Sequence, residues 1–128
     1  MKLLLDTHIL LWTAENAPQL SQTARNMIDD HSNEIYFSVV SLWEIVIKTS
    51  LKRPGFDIDA IQLRTQLLKN DFTELLLESS HVFGVNNLQR RHKDPFDHVI
   101  IAQALVENLT LLTSDTVVAA YDKRIICV

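Results

Sequence analysis

The sequence predicts an α/β domain in which helices cover both faces of a central parallel sheet. Short apolar runs alternate with helical patterns along the 128 residues, which is the order expected of parallel strands joined by crossover helices. The apolar runs are rich in Leu, Ile and Val and do not alternate with polar residues, as in strands that are buried on both faces. We therefore expect a three-layer α/β/α fold with about five strands in the doubly wound order 3-2-1-4-5.

Each strand is predicted from a short run of strand-forming residues between turn or helix signals. The expected strands are 2–6, 35–38, 72–77, 110–113 and 123–128. Each helix is predicted from apolar residues at helical spacing, from N-capping residues and from helix breakers. The expected helices are 7–14, 21–31, 40–51, 58–69, 79–88, 96–108 and 115–121. Because no repeat, linker or low-complexity tract interrupts this order, we expect residues 1–128 to form a single domain.

Composition excludes several classes of protein. With 47% hydrophobic residues, 22% charged residues and 2 glycines, the chain differs from disordered and collagen-like proteins. The single cysteine, Cys127, excludes an intrachain disulfide framework and a zinc site built from cysteines. The first apolar run ends at Asp6, too early for a signal peptide, and no segment approaches the ~18 apolar residues of a transmembrane helix. We expect a soluble, cytoplasmic protein.

Acidic side chains follow the predicted strands, at the ends where open α/β sheets bind ligands. Asp6 follows the first strand and Asp115 follows the fourth. Glu44 lies about one turn into the helix after the second strand, and Asp97 lies in the first turn of the helix that Asp94 precedes. If these five carboxylates converge, they account for more than the net charge of −4. The remaining surface is then close to neutral and compatible with a phosphate-bearing ligand.

Each of these acids also has an ordinary structural explanation. Asp6, Asp94 and Asp115 are suited to N-cap the helices that follow them, and Glu44 is placed for an i, i+4 ion pair with Lys48. Several carboxylates at one end of a sheet, however, repel one another unless a cation neutralises them. Oxygen ligands without cysteine favour Mg²⁺ or Mn²⁺, and Mg²⁺ combines one or two carboxylates with water and phosphate oxygens. The pattern as a whole therefore predicts a divalent-cation site.

Four short motifs resemble those of the PIN-domain ribonucleases. In chain order they are Leu4-Leu5-Asp6-Thr7-His8, Ser38-Val39-Val40-Ser41-Leu42-Trp43-Glu44-Ile45, Asp94-Pro95-Phe96-Asp97 with Ile101-Ala102-Gln103-Ala104, and Leu112-Thr113-Ser114-Asp115. Each motif alone is short and unspecific. Together, in this order and spacing, they most resemble the VapC-type toxins of bacterial type II toxin–antitoxin modules. The resemblance is weakest between residues 54 and 90.

The resemblance implies a Mg²⁺- or Mn²⁺-dependent endoribonuclease that hydrolyses RNA phosphodiester bonds and inhibits translation or growth. It also implies a homodimer and a small protein antitoxin as partner. The implied catalytic residues and metal ligands, which match the family's acidic quartet, are Asp6, Glu44, Asp97 and Asp115. The side chains implied to support them are Thr7, Thr113 and Asp94. The chain departs from the pattern at His98, where similar toxins often have arginine.

Basic side chains near the predicted site helices are candidates for contacts with RNA phosphates. They are Lys48, Lys52, Arg53, Arg90, Arg91, Lys93 and, when protonated, His98. The alternative is that they are ordinary solvated charges. For the antitoxin we expect an apolar surface on the first two helices, formed by Leu10, Leu11, Trp12, Leu20, Met27 and Ile28.

Two other classes of protein also place an aspartate after an apolar strand. A haloacid-dehalogenase-like phosphatase needs a second acid two residues further on, where this chain has His8. A response-regulator receiver needs an aspartate after its central strand and a lysine after a late strand, and the middle strand here runs into Glu78 instead. The alternative that stays open is a PIN-like module that binds RNA or a partner without cleavage.

Overall fold

The computed structural model, which describes residues 1–89 and 91–128, contains a parallel sheet of five strands. They are β1 (Lys2–Leu5), β2 (Glu34–Ser38), β3 (Thr73–Leu75), β4 (Thr110–Thr113) and β5 (Ile126–Cys127). Their order in the sheet is β3-β2-β1-β4-β5, and every neighbouring pair is parallel. The predicted fold class and strand order are confirmed.

Helices connect the strands and lie on both sides of the sheet. They are α1 (Thr7–Glu15), α2 (Gln22–Asp29), α3 (Val39–Ser50), α4 (Ala60–Lys69), α5 (Ser79–Gly84), α6 (Pro95–Val106) and α7 (Thr116–Ala119). A single 3₁₀ turn, Val85–Asn87, extends α5. Among the residues that the structure describes, no helix is both long and apolar enough to cross a membrane.

Two apolar cores lie on opposite faces of the sheet. Leu3 and Leu5 of β1 belong to one core, whereas Leu4 belongs to the other, together with Ile100 and Ile101 of α6. Because successive side chains of a strand point to opposite faces, both faces of β1 are covered. This double burial explains why the strand is a continuous apolar run.

The edge strands are shorter than the sequence predicts. β5 is confined to Ile126–Cys127 because Asp122 accepts a hydrogen bond from the backbone N–H of Arg124, which folds the preceding residues into a turn. β3 ends at Leu75, and the chain then leaves the sheet to begin α5 at the N-cap Glu78. An edge strand pairs with a neighbour on one side only. Its hydrogen-bonded ladder can therefore end before the apolar run of the sequence does.

The apolar surface expected on the first two helices lies inside the protein instead. Leu10, Leu11 and Leu20 are all less than a tenth exposed and belong to the core on one face of the sheet. The other three side chains of that set are only partly buried and pack against the same core. The prediction is therefore wrong for the three leucines, which cover the sheet, whereas the other three side chains keep part of their surface exposed.

Candidate functional site

The carboxyl ends of β1 and β4 meet at one edge of the sheet, where the strand order reverses. Leu5 lies opposite Leu112 in the parallel register, and the N–H of Asp6 donates to the carbonyl of Leu112 at 3.1 Å. Asp6 therefore comes directly after the paired residues, at the switch point where open α/β sheets bind ligands.

Asp6 is a buried carboxyl group with protein donors on both oxygens. Its Oδ1 accepts from the backbone N–H of Ile9 at 2.9 Å, which caps α1, and its Oδ2 accepts from the hydroxyl of Thr113. Burial raises the pKa of Asp6 to about 6, although both hydrogen bonds lower it. The negative charge of Asp97 acts in the same direction as burial. The ionised form of Asp6 is therefore destabilised in the protein without a cation.

Glu44 is almost completely buried on α3 and faces the same edge. Its Oε1 accepts from the hydroxyl of Thr7 at 2.6 Å, and this hydroxyl also lies 3.0 Å from Ser41 Oγ. Its Oε2 is paired with the Lys48 ammonium, one turn further along the helix. The i, i+4 ion pair anticipated from the sequence is thus present. It does not leave Glu44 on a solvated edge, because the side chain of Glu44 is only 3% exposed.

The Lys48 ammonium serves as an internal counter-ion at this edge. Besides pairing with Glu44, it lies 5.2 Å from the ring centre of Phe56 and 5.8 Å from that of Phe96, within the range of cation–π attraction. Its side chain is 24% exposed. Because the ammonium has three N–H donors, a contact between Lys48 and a phosphate would be shared with Glu44.

Asp97 projects from the first turn of α6 and is close to the other acids. Its Oδ2 accepts from Nε2 of His92 at 2.9 Å. Burial raises the pKa of Asp97, and the charges of Asp94 and Glu44 raise it further against the hydrogen bond from His92. Because Asp97 also influences Asp6, three of the four predicted acids share one electrostatic environment.

The fourth acid, Asp115, joins this group through Thr113. Its own carboxylate is exposed and caps α7 by accepting from the N–H of Val117 at 2.8 Å. Its backbone N–H donates at 3.0 Å to the same Thr113 hydroxyl that donates to Asp6. Asp94 caps α6 through the N–H of Phe96 at 2.9 Å. The capping role that the sequence suggests for three of these aspartates is therefore confirmed.

The donor set at this edge suits a hard divalent cation by its chemistry. Its side chains are carboxylates and hydroxyls, and the carboxylates raise one another's pKa, which a cation would reverse. Among residues 1–89 and 91–128, however, no three Asp, Glu, His or Cys side chains converge closely enough to ligate one ion. Thr113, Lys48 and His92 occupy carboxylate oxygens instead. Ligation by Glu44 or Asp97 would therefore require these donors to rearrange or to share the carboxylate.

A basic cleft adjoins this edge beside the start of α6. Its cavity of about 570 Å³ is lined by Arg91, His92, Lys93, Pro95 and His98. Lys52 and Arg53 are exposed just beyond α3, whereas Arg90, also predicted to contact RNA, lies outside the described residues.

His98 is less available than the sequence analysis expects. It is 7% exposed, and its Nε2 donates to the carbonyl oxygen of His92 at 2.7 Å. This placement favours a role in fixing the adjacent loop over that of a free phosphate-binding cation.

A larger groove lies away from the candidate acids. It has a volume of about 1070 Å³ and is lined mainly by α1, α4 and the residues that lead into β2. None of the predicted site residues lines it. Its size therefore does not make it the centre of the chemistry, because reactive groups rather than volume define a site.

Two side chains near Asp97 are not singled out by the sequence analysis. His92 lies among the predicted phosphate-binding side chains without being one of them, and residue 121 is only the end of a predicted helix. Both belong to one hydrogen-bond network that ends on Asp97. The only local signal is a histidine five residues before the aspartate, and nothing in the sequence pairs it with a tyrosine 29 residues away.

Comparison with known proteins agrees with this architecture. The model of the PIN domain family matches residues 3–124. A comparison with curated protein sequences finds no match.

Solved structures share the fold, among them a toxin–antitoxin complex from Klebsiella pneumoniae that superposes with a TM-score of 0.65 at 18% identity, covering 96% of this chain and 94% of that one. VapBC2 from Rickettsia felis, crystallised with a DNA fragment from its promoter, superposes with a TM-score of 0.68 at 18% identity, covering 100% of this chain and 98% of that one. VapBC-1 from nontypeable Haemophilus influenzae gives 0.67 at 20% identity, with 100% and 97% covered. FitAcB from Neisseria gonorrhoeae gives 0.63 at 16% identity, with 98% and 96% covered.

At these identities the likeness to solved structures concerns the fold. The family model covers nearly the whole chain, and the observed strand order is that of the predicted α/β fold. The chain therefore belongs to the PIN domain family.

Proposed function

We propose that this protein is a Mg²⁺- or Mn²⁺-dependent endoribonuclease and the toxin of a toxin–antitoxin pair. The observation that carries the proposal is the electrostatic proximity of Asp6, Glu44 and Asp97 at the switch point of the sheet. A buried cluster of carboxylates without enough protein cations is unfavourable by itself. It becomes favourable when a divalent ion and a substrate phosphate complete it.

Carboxylates and hydroxyls have different roles in the proposed site. Asp6, Asp97, Asp115 and Glu44 would hold the ion, which supplies an acidified water and neutralises charge on the phosphate when it is bound. Thr113 holds Asp6 and Thr7 holds Glu44 by hydrogen bonds between buried groups. These hydroxyls fix the direction of the carboxylates before an ion arrives, which reduces the ordering required on binding.

The basic cleft supports RNA as the substrate of this site. Arg91 and Lys93 are exposed and line the cleft whose wall includes His92, the partner of Asp97. Phosphates held by these side chains would lie next to the acidic edge. Lys52 and Arg53 would extend the path beyond α3. Arg90, which lies outside the described residues, is proposed as a further phosphate contact from its sequence alone. Contacts to phosphate provide affinity without sequence preference.

Partner proteins are part of the same proposal. Solved structures that share the fold include a toxin–antitoxin complex from Klebsiella pneumoniae, which supports an antitoxin as partner. Trp43 on α3 is 55% exposed and Phe83 on α5 is 67% exposed. Large exposed aromatic side chains are typical of surfaces that another chain covers. They support the expected homodimer or antitoxin contact in place of the buried leucines of α1 and α2.

The direct test is to sequence RNA ends that carry a 5′-phosphate after brief expression of the protein. New ends at defined sites are expected with the wild-type chain and not with Asp6→Asn. If the two proteins give the same ends, the proposed active site is wrong. If the wild-type chain retains RNA in a pull-down but creates no new ends, it is the non-cleaving binding module that the sequence analysis leaves open.

A further inference from the structure

The hydroxyl of Tyr121 lies at the centre of a network that leads to Asp97. It accepts from the backbone N–H of Arg91 at 2.7 Å and from that of His92 at 3.3 Å, and it lies 2.7 Å from Nδ1 of His92. A tyrosine hydroxyl has one proton to donate. Since the two amides use its lone pairs, that proton points to Nδ1.

This arrangement fixes the tautomer of His92. With Nδ1 as acceptor, the proton of the neutral imidazole resides on Nε2. Nε2 lies 2.9 Å from Oδ2 of Asp97 and therefore donates to it. Tyr121, His92 and Asp97 thus form a chain in which each donor is oriented by the group before it.

The ring and backbone of His92 are held from several sides. His98 donates to its carbonyl oxygen at 2.7 Å. The rings of His98 and Tyr121 both pack edge-on against it, with centroid distances of 5.0 and 5.4 Å. The side chain of His92 is only 20% exposed. A histidine that served only as a surface charge would not need a fixed backbone, a fixed ring and a fixed tautomer.

The network also joins the two segments that carry Asp97 and Asp115. Asp97 lies at the start of α6, whereas Tyr121 follows α7, the helix that Asp115 caps. Tyr121 therefore ties the loop before α6 to the chain that follows β4. With Oδ2 of Asp97 oriented by His92, the other carboxylate oxygen is left for a cation. Groups behind metal ligands commonly set their orientation in this way.

We propose that Tyr121 and His92 are positioning residues that hold the Asp97 carboxylate in the orientation needed to bind a divalent ion. This inference rests on the proposed metal-dependent function. It assigns neither residue to contact with the RNA or with the reacting atoms.

The test measures Mn²⁺ binding to the full-length chain by titration calorimetry, separately from RNA cleavage. Tyr121→Phe and His92→Ala are each expected to weaken Mn²⁺ binding about tenfold, as removal of such supporting groups commonly does. His92→Gln retains a donor and is expected to recover most of the affinity. The matched control is Tyr36→Phe, because among the described residues the Tyr36 hydroxyl donates only to Glu34 at the surface, at 3.2 Å.

Kinetics provide a second readout that general loosening of the fold would not give. We expect Tyr121→Phe and His92→Ala to lower kcat and raise the Mn²⁺ concentration needed for half-maximal cleavage, with the KM for RNA unchanged. The double variant is expected to lose no more affinity than either single variant, because both act on Asp97 in series.

Each remaining outcome decides between the claims. Wild-type Mn²⁺ affinity in folded Tyr121→Phe and His92→Ala proteins would overturn the positioning role while leaving the proposed function intact. If Tyr121→Phe fails to fold, the comparison of His92→Ala with His92→Gln carries the test, and equal affinities there would overturn it. Absence of Mn²⁺ binding and RNA cleavage in the wild-type chain would overturn the proposed function and this inference together.

Discussion

Replacing Asp6 by asparagine is expected to stabilise the metal-free protein at neutral pH. Burial raises the pKa of Asp6 from 3.8 to about 6. A folded-state pKa above the unfolded value means that stability from this group is complete below pH 3.8 and is lost as pH rises through about 6. At about 1.36 kcal/mol for each pH unit between these two pKa values, the ionised carboxylate lowers the free energy of unfolding at neutral pH by about 3 kcal/mol relative to the protonated form.

Asparagine preserves the shape of the site while removing the charge. Its carbonyl oxygen can accept from the N–H of Ile9, and its amide can donate to Thr113, reversing that hydrogen bond. The free energy of unfolding is measured by urea denaturation in EDTA at several pH values. As pH rises from about 3.5 to about 7.5, the free energy of unfolding of the variant is expected to increase by up to about 3 kcal/mol relative to that of the wild-type protein. Since all other groups titrate in both proteins, the difference isolates Asp6.

A control of opposite sign is available at the surface. The hydrogen bonds from Arg124 lower the pKa of Asp122. The free energy of unfolding of Asp122→Asn is therefore expected to fall relative to that of the wild-type protein as pH rises. Mn²⁺ at neutral pH should remove the difference in free energy of unfolding between Asp6→Asn and the wild-type protein, because it stabilises the wild-type chain alone. A pH-independent difference between Asp6→Asn and the wild-type protein would refute the claim that burial destabilises this carboxylate.

Three further predictions address the groups around Asp6. Thr113→Val removes a donor to Asp6, so it is expected to raise the pKa of Asp6 further and to reduce the rate of RNA cleavage about 10- to 100-fold, whereas Thr113→Ser restores the pKa and the rate. Cleavage kinetics at varied Mn²⁺ concentration measure the effect, and full activity of Thr113→Val would contradict it. Lys48→Met leaves Glu44 buried without its cation and is expected to lower the free energy of unfolding by about 1–3 kcal/mol in urea titrations. Added Mn²⁺ should reduce this loss, and an unchanged free energy of unfolding would show that the ion pair does not stabilise the fold. EDTA should stop RNA cleavage and added Mg²⁺ or Mn²⁺ should restore it in a gel assay, whereas EDTA-resistant cleavage would point to different chemistry.

The sequence predicts those parts of the fold and site that depend on local rules. The apolar run before Asp6 and the Asp94–Pro95 pair identify a strand end and a helix start without reference to the rest of the chain. The order 3-2-1-4-5 is one of the doubly wound orders compatible with the alternation of strands and helices, and it places the strands that precede Asp6 and Asp115 side by side. These features require only neighbouring residues and the preference of α/β sheets for one arrangement.

What the sequence does not predict depends on tertiary partners. Nothing local to Tyr121 indicates that its hydroxyl meets His92, and nothing local to Leu10 or Leu20 separates a core-facing side chain from a docking surface. The lengths of β3 and β5 depend on where each edge strand loses its single neighbour. In each case the contact that determines the structure joins residues far apart in the sequence, whereas periodicity and capping signals involve only nearby residues.

The capping role and the site role of the aspartates are compatible with each other. A carboxylate has two oxygens, and an N-cap occupies one of them with a backbone N–H. In Asp6 the cap takes Oδ1 and Thr113 takes Oδ2; in Asp115 the cap also takes Oδ1. The cap thereby fixes a carboxylate at the carboxyl edge of the sheet. The same local sequence that begins a helix thus places a carboxylate at the edge where the proposed site would bind a cation and a phosphate. Finding the capping role of an aspartate therefore does not exclude the proposed role.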